Sequence, residues 1–507
     1  GFTTSIFAST ADLNIGNAVT GVGYSNPLGY AHAAEVRNGI NGTLVADPDF
    51  TAQTSGATSF VDSATRTWTR NGNAEITNRK TRFVGEISSW TPVWDTSGRD
   101  VTTRVEASGL MRRLGQGAVP AKSPMYREFT SPFRSNIVAY WPMEDASGAT
   151  SLASALDGHP EMRITGTVTP AAYDDWPASD PVVTVGTGSL RVSVPTYTDT
   201  GFVFLRVFVA VPAAGVVSTQ RLLSITQSGT AKVWSVYVNT AGDLDLRAYD
   251  SEGTQILATG FQAFGINGDQ KSIGVELTQD GNDIDYTLFS YDVEDSTLTS
   301  SSGTSIAGTL AGYTVDVATQ VRFGEDGAMN DTAVGHLAIS DSNNGFASTA
   351  GALLGWKGET AAARVHRLGV EESLAAYATA PGDEQMGVQA RSTVLTLMRA
   401  AQDADEGILA EQRDVLGIRL VQRASLYNQT PALVLSYTGS AGLVAPLDPT
   451  DDDQAVTNDV TVQRDGGSSA RVTLDTGALS TLAPPDGIGP YDTSATINLF
   501  DDTQPAD

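Results

Sequence analysis

Between residues 190 and 291 the chain repeats one local pattern. A short run of aliphatic, aromatic and β-branched residues is followed by a cluster of Gly, Asn, Asp or Ser. The runs are Leu190–Val194, Gly201–Val211, Arg221–Ile225, Val233–Val238, Leu244–Tyr249, Ile273–Leu277 and Ile284–Tyr291. The clusters include Gln227-Ser228-Gly229, Asn239-Thr240-Ala241-Gly242, Asp250-Ser251-Glu252-Gly253 and Asp280-Gly281-Asn282. Such residues turn a chain, because Gly accepts positive φ and Asn or Asp side chains bond their own backbone. In one run Leu244, Leu246 and Ala248 alternate with Asp243, Asp245 and Arg247, giving a dry face and a wet face. Short antiparallel strands at this spacing predict a β-sandwich.

At 507 residues the chain exceeds a single core, so several domains are expected. Its 51 Gly and 21 Pro, with few long helical patterns, make it mainly β with a small α component. A net charge of −27 would repel a phosphate backbone and argues against nucleic-acid binding. Without cysteine there is no disulfide and no thiolate metal site. The four histidines, His32, His159, His336 and His366, are too scattered to suggest a zinc site. The most apolar run, Val203–Ala214, is broken by Arg206 and Pro212 and is too short to span a bilayer. No signal peptide is visible at the start. Because Gly1 comes first and Met111 is the first Met, trimming from a longer product is expected, and the final DDTQPAD reads as a linker or cut end.

Charge divides the chain. Residues 1–134 hold 13 Lys/Arg against 11 Asp/Glu, residues 135–357 hold 9 against 25, and residues 358–507 hold 9 against 22. The first segment reads as short strands, then a unit from Arg82 to Gly117. There, alternating runs flank the turn Asp95-Thr96-Ser97-Gly98, and Ser108 is placed to cap a short helix carrying Leu110, Met111 and Leu114. The third segment predicts short helices over Glu359–Leu368 and Glu371–Thr379 and an amphipathic helix over Ser392–Asp403. A hairpin of Ile408–Glu411 with Ile418–Arg423 and strands at Val460–Gln463 and Ala470–Leu474 follow.

Three separated pieces carry a family resemblance: RFVGEISSWTPVWDTSGRDVTTRVEASGLMRRLGQG, then RVHRLGVEES with MGVQARSTVLTLMRAAQDADEGILAEQRDVLGIRLVQRASLYNQTPAL, then LDPTDDDQAVTNDVTVQRDGGSS with LAPPDGIGPYDTSATINLFDD. They resemble the minor tail proteins of long-tailed actinobacterial phages, of the tail-tip or baseplate-hub type. Between them, NIVAYWPMEDASGATSLASALDGH and VRFGEDGAMNDTAVGHLAISDSNNGF resemble the edges of a laminin-G or concanavalin-like jelly roll. The resemblance implies hub β domains of barrel-like form, 1–134 and an α+β part 358–507, interrupted by an inserted β-sandwich, 135–357. It further implies a homotrimer at the virion's tail tip, linking tail tube or distal tail ring to tip proteins. The lectin-like domain would present itself to host cell-wall glycan. If the insertion reading holds, the two ends of the insert lie close together.

Candidate sites follow. Aromatic rings stack on sugar faces, which nominates Trp176, Trp234 and Tyr237, with Trp141 placed in the core. Jelly rolls of the resembled kind often hold one Ca²⁺, which implies Asp145, Asp331 and Asp341 as oxygen ligands. Arg112, Arg113, Arg419 and Arg423 could face Asp451 and Asp452 of a neighbouring subunit. Paired carboxylates (Glu144-Asp145, Asp174-Asp175, Asp283 with Asp285, Glu325-Asp326) allow the alternative of a cell-wall polysaccharide hydrolase, although a solvated surface is the plainer reading of each. No nucleophile elbow, P-loop or dinucleotide fingerprint is present, so a binding protein without catalytic residues is expected.

Overall fold

The computed structural model describes residues 31–506 except 40–41, 72–73, 77–82, 95, 99–100, 117–118, 133, 135, 294–302, 343–349, 380–383, 414, 428 and 432–455. It is mostly β. By its contacts the chain falls into two compact units. One takes residues up to Gln116 with Glu372–Tyr377 and Leu409–Leu420, and the other takes Gly117–Glu371, Ala378–Ile408 and Val421–Asp507.

The second unit is built on a sandwich of two antiparallel sheets. The first sheet runs, in spatial order, Val168–Tyr173, Val182–Val185, Thr332–Ser340, Phe202–Ala210, Gln270–Asp280, Asp283–Asp292 and Gly303–Leu310, with Ile137–Trp141 also on Thr332–Ser340. The second runs Gln255–Ala258, Leu244–Tyr249, Val233–Val238, Gln220–Gln227, Ala318–Phe323, Ser189–Ser193, Met162–Thr165 and Ser151–Leu152. All seven runs read from the sequence are strands here. Between the sheets lies one core in which Val203, Leu205, Val207 and Val209 meet Trp234, Val236, Leu244, Leu246 and Phe323.

The other face of the first sheet is also buried. Phe204 and Phe208 alternate with the valines and pack, with Tyr140 and Trp176, against Met125, Phe129, Ala352 and Leu353. Those four come from the short helices Pro124–Phe129 and Ala350–Leu353. Pro124 opens the first of them and the Ser123 hydroxyl accepts from the Tyr126 amide at 3.1 Å, the arrangement that stops a helix fraying at its start. Apart from the buried Arg206, which donates to Ser272 at 2.6 Å, Phe202–Ala210 is therefore apolar in both phases because both of its faces are covered. Among the described residues no helix covers the second sheet in this way, and its outer face keeps Arg, Ser, Tyr and Asp. The chain enters and leaves the sandwich at one place: Ile137 is paired with Ser340, and the Asp341 amide donates to the Asn136 carbonyl at 3.2 Å.

Around the sandwich, Ala361–Glu371 is held by a buried ion network. Arg367 bonds Glu359 at 2.8 Å and Glu371 at 2.7 Å, and Arg364 bonds Glu359 at 3.1 Å. The helix expected over Glu371–Thr379 does not form. Ser373 takes a left-handed φ of 55°, which ends the preceding helix, and Ala375–Ala378 continues as a strand. Val394–Asp405 is a helix as expected. Asp459–Arg464 pairs antiparallel with Ser469–Thr473 and parallel with Asp492–Ile497.

In the first unit, Glu86–Trp94 and Val101–Ser108 form a long hairpin. Its register puts Trp90 opposite Val105 and Trp94 opposite Val101, so these four share one face, and all four are exposed. The helix Leu110–Gly115 follows, but Ser108 is not its cap. Gly109 holds the cap position without a side-chain bond, and Glu411 Oε1 accepts from the Met111 amide at 2.6 Å. A carboxylate suits a helix start because the free amides there carry partial positive charge. The barrel-like form expected for the hub segments is not seen: among the described residues no sheet closes on itself. The strands of those segments instead make two- and three-stranded sheets, too few for closure.

Leu246 is fully buried between the sheets whereas Val217 is 68% exposed. Leu246→Ala is expected to cost about 2–5 kcal/mol of sandwich stability, and Val217→Ala no more than about 0.5 kcal/mol. Denaturant titration of the two variants checks this, and equal effects would contradict the packing described.

Candidate functional site

Strand register builds a polar row across the outer face of the second sheet. Arg163 lies opposite Arg191, Arg191 opposite Arg322, Arg322 opposite Ser224, Ser224 opposite Ser235, and Ser235 opposite Arg247. Their strand neighbours Leu190, Val192, Val321, Phe323, Trp234, Val236, Leu246 and Ala248 all point into the core, so the row points away from it. Six strands at about 4.8 Å spacing make the row about 24 Å long. A second row sets Arg221, Tyr237 and Asp245 side by side.

Carboxylates pin part of this face. Arg221 bonds Asp326 at 2.9 Å and meets Glu325 at 3.2 Å; Arg322 Nη1 reaches Glu325 Oε1 at 2.5 Å. The Ser224 hydroxyl donates to Glu325 at 3.1 Å. Asp326 is held below its ordinary value chiefly by the Arg221 hydrogen bond. Arg247 bonds Asp245 at 2.7 Å and lays its guanidinium 4.1 Å from the Tyr237 ring centre. The Tyr237 and Tyr249 hydroxyls lie 3.2 Å apart. Tyr237 is pushed up to about 12, first by burial and then by Tyr249. The Ser235 hydroxyl is buried and has no hydrogen-bond partner among protein groups. Oriented donors and a guanidinium plane on one face can receive a polyhydroxylated ligand.

A second polar cluster is enclosed beneath the helices of the same unit. Tyr140 Oη lies 2.8 Å from His336 Nδ1, His336 Nε2 lies 2.7 Å from Ser179 Oγ, and Ser179 donates to Glu144 Oε1 at 3.1 Å or to the Asp180 carbonyl at 2.6 Å. One His336 ring nitrogen donates and the other accepts, so the Tyr140 and Ser179 hydroxyls take complementary roles toward the ring. Glu144, 3.5 Å from Nε2, sits on the side of the ring opposite to the one a triad acid occupies. Burial pushes His336 down to about 3 and Glu144 up to about 7, the latter against bonds from Ser123, the Asp180 amide and Ser179. Glu144 Oε2 has no partner at hydrogen-bond geometry. His336 also takes a positive φ of 49°, a conformation few side chains adopt without surrounding support.

The sequence-nominated residues are scattered. Trp234 is a core residue, 1% exposed, tilted against Tyr286. Trp176 is buried as well, edge-on to Tyr173 and Phe208. Its loop is polar, yet the ring folds back over Gly335, where an added Cβ would lie 2.9 Å from Trp176. Neither tryptophan can be a sugar platform; Tyr237 alone of the three is on the polar face. Trp141 is in the core as expected. Asp145, Asp331 and Asp341 do not meet: among the described residues no three His, Asp or Glu side chains converge on a metal position. Asp145 instead accepts from the Ala153 amide at 3.0 Å. Asp145, Asp331 and Asp341 therefore do not form a shared Ca²⁺ site. Asp283 and Asp285 tie the Gly312 amide at 2.9 Å and Thr309 at 2.6 Å.

Of the arginines nominated for subunit contact, Arg113 meets Glu86 at 3.1 Å and Arg423 meets Glu384 at 3.0 Å and Glu406 at 3.1 Å, all within this chain. Arg112 is exposed, Arg419 Nε is buried without a partner, and Asp451 and Asp452 lie outside the described residues. The arginine row was not nominated at all. Its available signal is that Arg163, Arg191 and Arg322 each stand in the polar phase of a short strand.

No family model matches the sequence, and no curated protein matches it. Among solved structures, the chain is similar to the botulinum neurotoxin serotype D binding domain, at 10% identity over 58% of this chain and 65% of that one, TM-score 0.30. It is similar to the Ruminococcus gnavus IT-sialidase CBM40 bound to sialyllactose, at 12% identity over 28% of this chain and 77% of that one, TM-score 0.20. It is also similar to tailspike protein 2 of an Escherichia coli bacteriophage, at 9% identity over 34% of this chain and 24% of that one, TM-score 0.25. Likeness at this level leaves fold and function to be argued from the residues themselves.

The buried cluster predicts a pH dependence. Glu144, raised from 4.5 to about 7, adds stability that is complete below pH 4.5 and lost as pH rises through 7. His336, lowered from 6.5 to about 3, adds stability that is complete above pH 6.5 and lost as pH falls through 3. Between pH 4.5 and 6.5 the two slopes oppose each other. Glu144→Gln should therefore make stability fall with falling pH by about 1.4 kcal/mol per unit relative to the parent, and His336→Gln should make it rise by about as much. Urea midpoints at pH 5, 6 and 7 measure both; parallel lines for parent and variants would refute the assignment.

Proposed function

We propose that this chain is a structural protein of a phage tail tip, of the baseplate-hub kind, that joins tail tube to distal tip and presents a glycan-binding sandwich to the host cell surface. The observation that carries the binding half is the outer face of the second sheet. Arg221, Arg247, Tyr237 and Tyr249 lie side by side there on three consecutive strands, and Arg163, Arg191 and Arg322 join the same face from strands far apart in sequence. The remainder of the reading rests on the three sequence pieces that resemble hub proteins. Net charge of −27 is consistent with partners that are protein and glycan, not nucleic acid. Among the described residues no helix is long and apolar enough to cross a membrane.

The assembly half is supported by the hairpin of the first unit. Trp90, Trp94, Val101 and Val105 form one apolar face and are 55–67% exposed. An uncovered face of two tryptophans and two valines marks an interaction surface, and a second copy of this chain is its proposed occupant.

Two outcomes test the reading. Full-length protein should sediment with isolated actinobacterial cell-wall polysaccharide, and Tyr237→Ala should weaken that binding about tenfold under conditions where its unfolding curve shows the variant fully folded. Absence of binding would overturn it, and release of reducing ends would replace it with the hydrolase alternative. By light scattering the chain should run as a trimer, and Trp90→Ser with Trp94→Ser should shift it to monomer. A parent that is monomeric at every concentration, and in the assembled particle, would defeat the hub assignment.

A further inference from the structure

The basic residues of the sandwich are placed with a bias that its composition does not lead one to expect. Residues 135–357 hold 9 Lys/Arg against 25 Asp/Glu. Five of those nine (Arg163, Arg191, Arg221, Arg247 and Arg322) lie on the outer face of the second sheet. Arg221, Arg247 and Arg322 are neutralised by Asp326, Asp245 and Glu325. Arg163 and Arg191 are exposed, and no ion pair is formed by either among the described residues.

Arg191 is the centre of this arrangement. It lies directly opposite Arg163 on one side and Arg322 on the other, so three guanidinium-bearing positions occupy adjacent strands of one row. Like charges placed directly opposite each other on neighbouring strands destabilise a sheet. Glu325 takes up the charge of Arg322, but although acidic residues are almost three times as common in this segment, none is ion-paired with Arg163 or Arg191 among the described residues. Repulsion retained against such a supply of counter-charge is relieved when an anion bridges the arginines. Their planar forks suit the paired oxygens of a carboxylate or a phosphate.

We infer that the edge of the polar face formed by Arg163 and Arg191, beside the Glu325-paired Arg322, receives the acidic group of an anionic glycan, while the Tyr237 and Tyr249 end receives neutral hydroxyls. This rests on the glycan-binding reading above and narrows it to polysaccharides that carry a carboxylate or a phosphodiester. Duplex DNA offers phosphates too, so it enters the test as the control for general polyanion binding.

The test uses the full-length chain in affinity electrophoresis with four gels. They contain polygalacturonate, a glycerol-phosphate polymer, neutral dextran and no polymer. Retardation by polygalacturonate identifies a carboxylate ligand, and retardation by the glycerol-phosphate polymer identifies a phosphodiester. Either result, about tenfold weaker for Arg191→Gln and weaker again for Arg163→Gln with Arg191→Gln, supports the inference. Loss of retardation between 50 and 500 mM salt, in excess of any loss with dextran, supports it as well. Both arginines are exposed, and an unchanged thermal midpoint confirms that the variants remain folded. Binding to neutral wall polysaccharide or dextran that Arg163→Gln and Arg191→Gln leave intact would overturn the inference and leave the glycan-binding reading standing. No binding to any wall polymer would overturn both. Equal binding of duplex DNA at the same salt would mark the row as a general polyanion patch and overturn the glycan assignment.

Discussion

The structure depends on a strand that has no wet side. Phe202–Ala210 puts valines and a leucine into the space between the sheets and phenylalanines into the space beneath the short helices. A strand of this kind cannot sit at an edge or face solvent, so both covers must be in place for it to be stable. The helix Pro124–Phe129 and the helix Ala350–Leu353 are those covers, and they come from opposite sides of the sandwich in sequence. Their docking makes the first sheet structural and reserves the second sheet's outer face for polar side chains.

The same cover explains why a histidine, a tyrosine and a carboxyl group are shut in together. His336 leaves the plane of its strand with a positive φ, beside Gly335, and the Trp176 ring takes the space that a side chain at Gly335 would need. The ring nitrogens of His336 are then satisfied by Tyr140 and Ser179, and Glu144 is drawn up against Ser179 and the Asp180 amide. Burial makes each ionisable group prefer its neutral form, and a neutral carboxyl beside a neutral imidazole costs far less to enclose than two charges. The cluster joins the loop at Asp180, the start of the covering helix at Ser123 and the last strand of the first sheet. Its chemistry is that of a joint.

Much of this was legible in the sequence where one local rule decides the outcome. Leu244–Tyr249 alternates because one side meets the core, and it folds as read. The sequence could not show contacts decided elsewhere in the chain. Trp176 looks exposed in YDDWPASD because its neighbours are polar, but a glycine about 160 residues later makes room for the ring. Glu371–Thr379 has good helix formers, yet the left-handed Ser373 and pairing with Gly417–Val421 override them. Ser108 has the right chemistry for a helix cap, and Glu411 takes the role from 300 residues away.

The arginine row belongs to the same class of feature. Each member is an ordinary outward residue in a short strand, and only the order of strands in the sheet makes neighbours of them. That order follows from burying Leu190, Val192, Val321 and Phe323 on the opposite side, so register set by the core also sets the spacing of the charges. A one-residue slip would send all three guanidinium groups inward, at a cost no surface interaction could offset. The core thus holds Arg163 and Arg191 against their own repulsion, and relief of that repulsion favours whatever anion neutralises them. Binding there needs no rearrangement of the sheet, since the donors are already held at strand spacing before a ligand arrives.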